Sequence, residues 1–279
     1  MLREIGVWFE IEIQKRFWSV CFGILAWRLL NFCSVSTYFV PDEYFQTLEV
    51  AHHRVFGYGF RTWEWEVGLR SSVHVWPFVF FYTFLKTLSL DSSWMIAYGP
   101  RLLQVLAQTI QDVATFYLGK RLGGKTRGAA GWSLFFSLTS WCIFYCGTRT
   151  LSNCAEAALV TVALALWPWE GEGDRLKSLA VAAAAVAVRP TCVVIFTLAA
   201  FHYLLLHPSY LPRFVAECGA VGVMALGGML LADGIFYGDW TCTICNFVAF
   251  NVLGRGGGAH FYGSHPPYWY LSEGMPTIL

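Results

Sequence analysis

The chain has 279 residues, of which 56% are hydrophobic and only 13% are charged. Because soluble domains carry about 25% charged residues, this composition indicates an integral membrane protein. The net charge of +1 argues against a nucleic-acid partner, which requires a strongly basic surface. The chain also lacks the glycine-rich sequence motifs that bind nucleotides.

The first membrane-spanning segment is predicted at residues 17–36, close to the roughly 20 residues that cross the hydrocarbon core of a bilayer. Lys15 and Arg16 precede it, so the excess of basic residues in cytosolic segments predicts a cytosolic N-terminus. The polar residues 37–94 then form a loop on the opposite side of the membrane. The apolar start has no small-residue cleavage site, which favours a retained anchor over a cleaved signal.

A helix is predicted at the start of this polar loop, after Pro41, because proline is favoured at the first helical position. Apolar and polar residues recur at helical spacing on two opposite faces. They are Phe45, Leu48, Ala51 and Val55 on one face, and Asp42, Gln46, Glu49 and His53 on the other. The pattern predicts a helix in the membrane interface, with its polar face toward water.

The apolar residues 73–90 are predicted to form an interfacial or re-entrant helix. Counting them as a full span would place the basic residues 120–127 on the same side as the polar loop, against the charge rule. Arg189 and Pro190 interrupt the apolar residues 179–206, a break typical of helices that line substrate cavities. Further spans are predicted at residues 95–118, 129–146, 154–167 and 214–232. The tail, residues 233–279, then shares a side with the polar loop.

No metal or cofactor site is predicted. Cys242 and Cys245 form a C-x-x-C pair without the second pair that a structural zinc site needs. The remaining cysteines lie in apolar segments and are predicted to be buried thiols. His52 and His53 match no standard spacing of metal ligands, so positions on the polar face of the helix are the favoured interpretation.

Asp42 and Glu43 are the candidate catalytic carboxylates. Adjacent helical residues point about 100° apart, so the two cannot flank one bond as paired-carboxylate hydrolysis requires. Inverting transfer of a phosphate-linked sugar requires only one carboxylate, which takes the proton of the acceptor hydroxyl, because the phosphate leaves without protonation. Stabilisation of the helix N-terminus by the two negative charges is the alternative.

Three arginines lie in or beside apolar segments, where a charge is costly and usually marks a ligand. For Arg149 and Arg189 we predict contact with a lipid phosphate, which arginine binds through two parallel hydrogen bonds. For Arg101 an ion pair with Asp112, on the same predicted helix, is an equal alternative.

Aromatic residues and one histidine add further candidates. Trp63 and Trp65 are expected either to stack on a sugar ring or to anchor the loop in the membrane interface. His265 lies on the same predicted side as Asp42, and both substrate contact and loop stabilisation are open for it.

Four long motifs follow one another along the chain: FVPDEYFQTLEVAHHRVFGYG, TWEWE with the following LRS, TRTLSN, and FNVLGRGGGAHFYGSHPPYWYLSEGMP. In sequence and order they resemble the membrane mannosyltransferases that use dolichyl-phosphate mannose, which form glycosyltransferase family 22. Within that family they are most similar to the enzymes of GPI-anchor synthesis. The resemblance covers nearly the whole chain from residue 17.

The resemblance implies an all-α, multi-pass GT-C-type helix bundle of one domain (residues 1–279) in the endoplasmic reticulum membrane. Residues 37–94 would be its first luminal loop, with interfacial helices, and residues 233–279 a later luminal loop. The implied reaction is an inverting, cofactor- and metal-independent transfer of mannose. The donor would be dolichyl-phosphate mannose, and the mannose would be α1,2-linked to a dimannosyl GPI precursor. No protein partner is implied.

In the family the catalytic acid lies in the first luminal loop, at the position of Asp42, with Glu43 as the second candidate. The candidate substrate-binding residues are Glu49, Trp63, Arg70, Arg149, Arg189 and His265. The segment RSSVHVWP is longer than the corresponding step of the family motif, so the alignment of His74 is open.

Relatives in the family are about twice as long, so the resemblance implies that this chain is an N-terminal portion of such an enzyme. Two alternatives stay open. One is a family member that acts on the fourth GPI mannose or on the N-glycan precursor. The other is a truncated, non-catalytic membrane protein.

Overall fold

A computed structural model describes residues 2–124, 126–169, 173–263 and 265–278. These residues form helices and contain no β-strand. The α-helices are α1 (Leu2–Lys15), α2 (Phe17–Ser34), α3 (Glu49–Phe56), α4 (Trp63–Glu66), α5 (Trp76–Thr87), α6 (Ser93–Tyr98), α7 (Arg101–Leu122), α8 (Ala129–Thr139), α9 (Trp141–Cys146), α10 (Ser152–Leu166), α11 (Arg175–Val188), α12 (Val193–Leu206), α13 (Leu211–Tyr237), α14 (Thr243–Asn251) and α15 (Met275–Ile278).

Helix α7 is the centre of the bundle and packs against α2, α8 and α10. The bundle continues from α10 to α11 and from α11 to α13, while α1 packs on α8. One face of α7 carries polar side chains that are buried in these contacts: Arg101, Gln104, Gln108 and Asp112. Because a buried polar group is costly unless it is paired, this face must find partners on the surrounding helices.

Among the described residues, two helices are long and apolar enough to cross a membrane, Phe17–Ser34 and Pro208–Tyr237. They correspond to the first and last spans predicted from the sequence, although the last one continues beyond residue 232. The apolar helices Ala129–Thr139, Ser152–Leu166 and Pro190–Leu206 are shorter. The full multi-pass topology therefore stays a prediction.

The predicted span at residues 95–118 is not one continuous helix, because α6 ends at Tyr98 and α7 begins at Arg101. Pro100 lacks a backbone N–H and separates the two helices. The predicted span at residues 129–146 is likewise divided into α8 and α9. Ser140 lies at the break, where its hydroxyl accepts a hydrogen bond from the backbone of Ile143 and caps α9.

The predicted break at Arg189 and Pro190 is confirmed. Helix α11 ends at Val188, a 3₁₀ turn covers Pro190–Cys192, and α12 follows. Arg189 has an extended backbone, as expected for a residue that precedes proline.

The first polar loop folds into a small helical unit with its own hydrophobic core. The predicted helix after Pro41 is present, as a π-helical turn over Tyr44–Leu48 that runs into α3. Leu48 and Ala51 are buried as the pattern indicates, whereas Phe45 and Val55 are only partly buried. The π turn rotates the helix relative to a regular α-helix. Thr47 is buried on the same face, four residues before Ala51, and Glu43, four residues before Thr47, is buried as well.

Helix α5 covers the apolar side of α3 and has 12 residues. At 1.5 Å per residue it is about 18 Å long, too short to cross about 30 Å of hydrocarbon. This length agrees with an interfacial or re-entrant helix. The apolar side of α3 faces α5 and the core formed with Trp65 and Phe236 instead of lying open.

The first polar loop and the segment after α13 are joined by a buried carboxylate. Asp233 accepts hydrogen bonds from the Ser72 backbone N–H (2.6 Å), the Ser72 hydroxyl (2.7 Å) and the Thr243 hydroxyl (2.6 Å). Asn246 donates to the carbonyl oxygen of Gly68 (3.0 Å). The two polar segments therefore lie at the same end of the bundle.

Cys242 and Cys245 form a disulfide at the start of α14. An isolated C-x-x-C pair gives no sequence signal that separates this outcome from two free thiols. The disulfide constrains the turn that delivers Thr243 to Asp233.

Candidate active site

Asp42 and Glu43 occupy opposite environments at the start of the first-loop helix. Asp42 is exposed, and its carboxylate has no hydrogen bond or ion pair with any described residue. Glu43 is only 4% exposed, accepts a hydrogen bond from the Phe39 backbone N–H (2.6 Å) and forms an ion pair with Arg149 (3.0 Å). One carboxylate is free to react, and the other is held in the structure.

Arg149, from the TRTLSN motif, fixes the start of this helix. Its Nη1 donates to Glu43 and to the carbonyl oxygen of Thr37 (2.7 Å), and its Nε donates to that of Tyr145 (2.9 Å). The neighbouring Thr150 hydroxyl donates to the Glu43 carbonyl oxygen (3.0 Å). The guanidinium group is thus used mainly for positioning, although its Nη2 is buried without a hydrogen-bond partner among the described residues.

A small polar pocket of about 80 Å³ lies beside this ion pair. It is lined by Ser36, Thr37, Glu43, Tyr44, Ala97, Tyr98, Arg101 and Arg149. Two guanidinium groups face one carboxylate here, which leaves a net positive charge. Together with the hydroxyl groups of the lining residues, this charge makes the pocket suitable for an anion.

Arg101 does not pair with Asp112, the alternative that the sequence left open. Its Nη1 donates to the carbonyl oxygen of Val35 (2.8 Å), and its Nε lies 3.4 Å from that of Thr148. Asp112 instead forms an ion pair with Arg28 (2.7 Å). Arg101 is the first residue of α7, and its side chain lines the small pocket.

A larger cavity of about 290 Å³ lies where the first polar loop, the break after α11, α13 and α14 meet. The polar residues that line it are Gln46, Glu64, Arg70, Ser71, His74, Ser152, Arg189, Thr191, Thr243 and Asn251. The helix that starts at Asp42 thus contributes Glu43 and Tyr44 to the small pocket and Gln46 to the large cavity.

Two predicted substrate-binding residues, Arg70 and Arg189, meet in the large cavity. Arg70 forms a bidentate ion pair with Glu64 (2.6 and 3.0 Å), and Arg189 pairs with Glu156 (3.0 Å). Each positive charge therefore has a carboxylate partner, so the large cavity is closer to neutral than the small pocket. Arg189 Nη1 also donates to the Ser152 hydroxyl (3.1 Å).

Asp42 lines neither space, and the remaining predicted substrate-binding residues also lie outside both. Glu49 accepts a hydrogen bond from the Phe60 backbone N–H (3.2 Å) and closes the turn after α3. Trp63 is 37% exposed and contacts the rings of Phe250 and Phe261.

Trp65 and His265 also differ from expectation. Trp65 is buried in the loop core, where it lines the large cavity and donates through Nε1 to the Phe45 carbonyl oxygen (3.2 Å), so anchoring in the membrane interface does not describe it. His265 is exposed and stacks on Trp269 (4.8 Å between ring centroids), and no described contact brings it to Asp42.

His74 lines the large cavity, although the sequence analysis names it only for its open alignment and not as a candidate site residue. The available signal is its position, between the LRS motif and the proline that begins α5. This position places His74 on the turn before α5, which faces the core of the first polar loop.

We expect Glu43→Ala to destabilise the protein, because the change leaves the Arg149 charge buried without its carboxylate partner. Loss of one member of a buried pair costs about 3–5 kcal/mol. Thermal unfolding of the detergent-solubilised protein measures the effect. Glu66→Ala, which removes an exposed carboxylate of the same loop, is the matched control, and equal melting temperatures for the two variants would contradict the structural role of Glu43.

The sequence profile of the Alg9-like mannosyltransferase family matches residues 19–279. A GPI alpha-1,2-mannosyltransferase 3 of Homo sapiens is 41% identical, over 91% of this chain and 46% of the human protein. A mannosyltransferase of Arabidopsis thaliana is 38% identical, over 97% of this chain and 49% of the plant protein. A GPI mannosyltransferase 3 of Drosophila melanogaster is 39% identical, over 92% of this chain and 44% of the fly protein. The chain spans about half the length of the curated relatives it matches, and no solved structure matches it.

Proposed function

The chain belongs to the Alg9-like mannosyltransferase family, and from this premise we propose that it carries the catalytic half of a GPI-anchor mannosyltransferase. The reaction is transfer of mannose from dolichyl-phosphate mannose, in α1,2 linkage, to a dimannosyl GPI precursor. The observation that carries the proposal is the similarity to relatives named for this activity, which extends over nine-tenths of the chain. The exposed carboxylate of Asp42 supplies the chemistry.

In the proposed mechanism the 2-hydroxyl oxygen of the acceptor mannose attacks the anomeric carbon of the donor mannose. The bond between that carbon and the phosphate oxygen breaks, and the phosphate leaves with the bonding electrons. Asp42 takes the proton of the attacking hydroxyl. The attack occurs opposite to the leaving group, so the configuration at the anomeric carbon inverts. Because the donor carries its own leaving group, the chemistry requires no cofactor.

The small pocket, to which Glu43 and Tyr44 contribute directly after Asp42 in the chain, is the proposed site of the lipid phosphate. Its two arginines, Arg101 and Arg149, outnumber the carboxylate of Glu43, and the free Nη2 of Arg149 has a hydrogen bond to give. Stabilisation of the departing phosphate by such preplaced donors is a large term in catalysis. The paired charges of Arg70 and Arg189 make the large cavity the better space for the neutral sugar units.

We place these sites in the lumen of the endoplasmic reticulum. The contact of the first polar loop with the segment after α13 supports a common side for both. The disulfide between Cys242 and Cys245 supports an oxidising compartment, where such bonds persist. The spans of the membrane domain would hold the lipid donor and the GPI precursor beside the two spaces.

Genetic complementation tests the proposed function. The full-length gene product, expressed in cells that lack the third mannosyl step, should restore surface GPI-anchored proteins and convert the accumulated dimannosyl precursor into a trimannosyl lipid. Mass spectrometry of extracted lipids measures both species. Continued accumulation of the dimannosyl lipid would refute the assignment, and elongation of a different lipid-linked glycan would indicate the activity of another family member.

A further inference from the structure

His74 lies on the turn before α5, buried in the protein and facing the large cavity. It is 7% exposed, and its ring packs against Phe78 (5.4 Å between centroids). Its Nε2 atom is buried and has no hydrogen-bond partner among the described residues. Because buried polar atoms are nearly always paired, such an atom in the wall of a cavity indicates a partner that occupies the cavity.

The protonation state of His74 determines what that partner must be. Burial lowers the pKa of the imidazole to about 4, the charge of Arg189 acts in the same direction, and the backbone of Thr150 opposes them. The ring is therefore neutral near pH 7. We assign the proton of the neutral ring to the nitrogen other than Nε2, because the backbone of Thr150 favours a protonated ring and Nε2 has no partner among the described residues. In a neutral imidazole the second nitrogen then carries a lone pair and accepts hydrogen bonds.

The surroundings restrict the partner to an uncharged hydrogen-bond donor. The arginines of the cavity already pair with Glu64 and Glu156, so no excess positive charge is available for a phosphate. A deprotonated phosphate oxygen would also face the Nε2 lone pair without a proton between them. The amide of Gln46 and the hydroxyl of Thr191 are the kind of neutral groups that bind sugar hydroxyls. The volume of about 290 Å³ is near the lower end for small-molecule pockets.

We propose that His74 is a sugar-binding residue whose Nε2 accepts a hydrogen bond from a hydroxyl group of a hexose in the large cavity. This role rests on the proposed function, because that function supplies two mannose-containing ligands, the donor and the acceptor. It separates the site into a phosphate pocket at Arg101 and Arg149 and a hydroxyl-binding cavity at His74.

Two variants isolate the Nε2 atom. In His74→Asn the amide nitrogen replaces the ring nitrogen that carries the assigned proton, and no acceptor remains at the Nε2 position. In His74→Gln the side-chain oxygen replaces Nε2. With the full-length protein in membranes, His74→Asn should raise one KM about tenfold, the effect of one lost hydrogen bond, with kcat nearly unchanged. His74→Gln should stay within about threefold of the wild type.

The KM values for the two substrates identify the ligand that His74 binds. A raised KM for dolichyl-phosphate mannose assigns the bond to the donor sugar, and a raised KM for the dimannosyl lipid assigns it to the acceptor. Wild-type values of both constants in His74→Asn would overturn the proposal. His53→Asn, a substitution at a histidine outside both spaces, is the control for altered expression.

A binding measurement separates this proposal from the proposed function. Detergent-solubilised wild-type protein should be protected against thermal unfolding by a soluble mannose disaccharide, and His74→Asn should require about tenfold more of it. This result can be obtained even if no mannosyl transfer is found. Absence of protection in the wild type, or equal protection of both proteins, would show that Nε2 contacts only water and would overturn the proposal.

Discussion

Replacement of Asp42 by asparagine should lower kcat for mannosyl transfer about 10²–10⁴-fold, the usual contribution of a general base. Asparagine keeps the size and polarity of the side chain but does not take a proton from the attacking hydroxyl. The carboxylate is exposed and has no partner among the described residues, so its loss breaks no structural contact. The melting temperature should therefore stay at the wild-type value, as should the KM of both substrates.

Transfer from dolichyl-phosphate mannose to the dimannosyl lipid, measured in membranes with equal protein levels, gives the required constants. Asp91→Asn is the matched control, because Asp91 is an exposed aspartate of the same loop and the substitution changes the net charge equally. Asp42→Glu should retain part of the activity, since the carboxylate is kept and only displaced by a methylene. A normal kcat in Asp42→Asn would exclude Asp42 as the base.

The contrast with Glu43 shows where prediction from the sequence ends. The sequence predicts the helix after Pro41, and helical spacing separates Asp42 from Glu43. It does not predict which of them is free. That distinction depends on Arg149, which lies more than a hundred positions further along the chain and reaches Glu43 only because α9 and α10 pack beside the first loop. An ion pair of this kind leaves no local pattern in the sequence.

The predicted and the observed helix boundaries differ because of local features of the sequence. The break at Arg189 and Pro190 was predictable because proline restricts the residue before it. Pro100 carries the same signal, yet hydrophobicity alone favours one span over residues 95–118. The π turn at Tyr44–Leu48 has no comparable signal in the sequence. His74 becomes a candidate only once its unpaired nitrogen is seen to face a cavity.

The second large effect concerns the buried ion pair of Arg28 and Asp112, which joins α2 to α7. Both side chains are 0% exposed, and two hydrogen bonds connect them (2.7 and 2.8 Å). Ser137 of α8 adds its hydroxyl to Asp112 (2.7 Å) and accepts from Arg28 at its carbonyl oxygen (3.0 Å). Three helices therefore meet at one charged cluster, and Arg28 lies in a segment apolar enough to span a membrane.

Asp112→Ala should lower the free energy of unfolding by about 3–5 kcal/mol, because it leaves the Arg28 charge buried without its partner. The double variant Arg28→Met with Asp112→Leu should recover most of this loss, since two apolar side chains of similar volume need no compensating charge. Ile110→Ala, at an exposed position on the same helix, is the control. Thermal unfolding monitored by size-exclusion chromatography measures all three. If the double variant is as unstable as Asp112→Ala, the cost lies in lost packing and not in the unpaired charge.

In either case Asp42 and the small pocket stay chemically intact, so variants that still fold should keep their transfer rate per folded molecule. That separation distinguishes the residues that hold the bundle together from those that are proposed to act on the sugar.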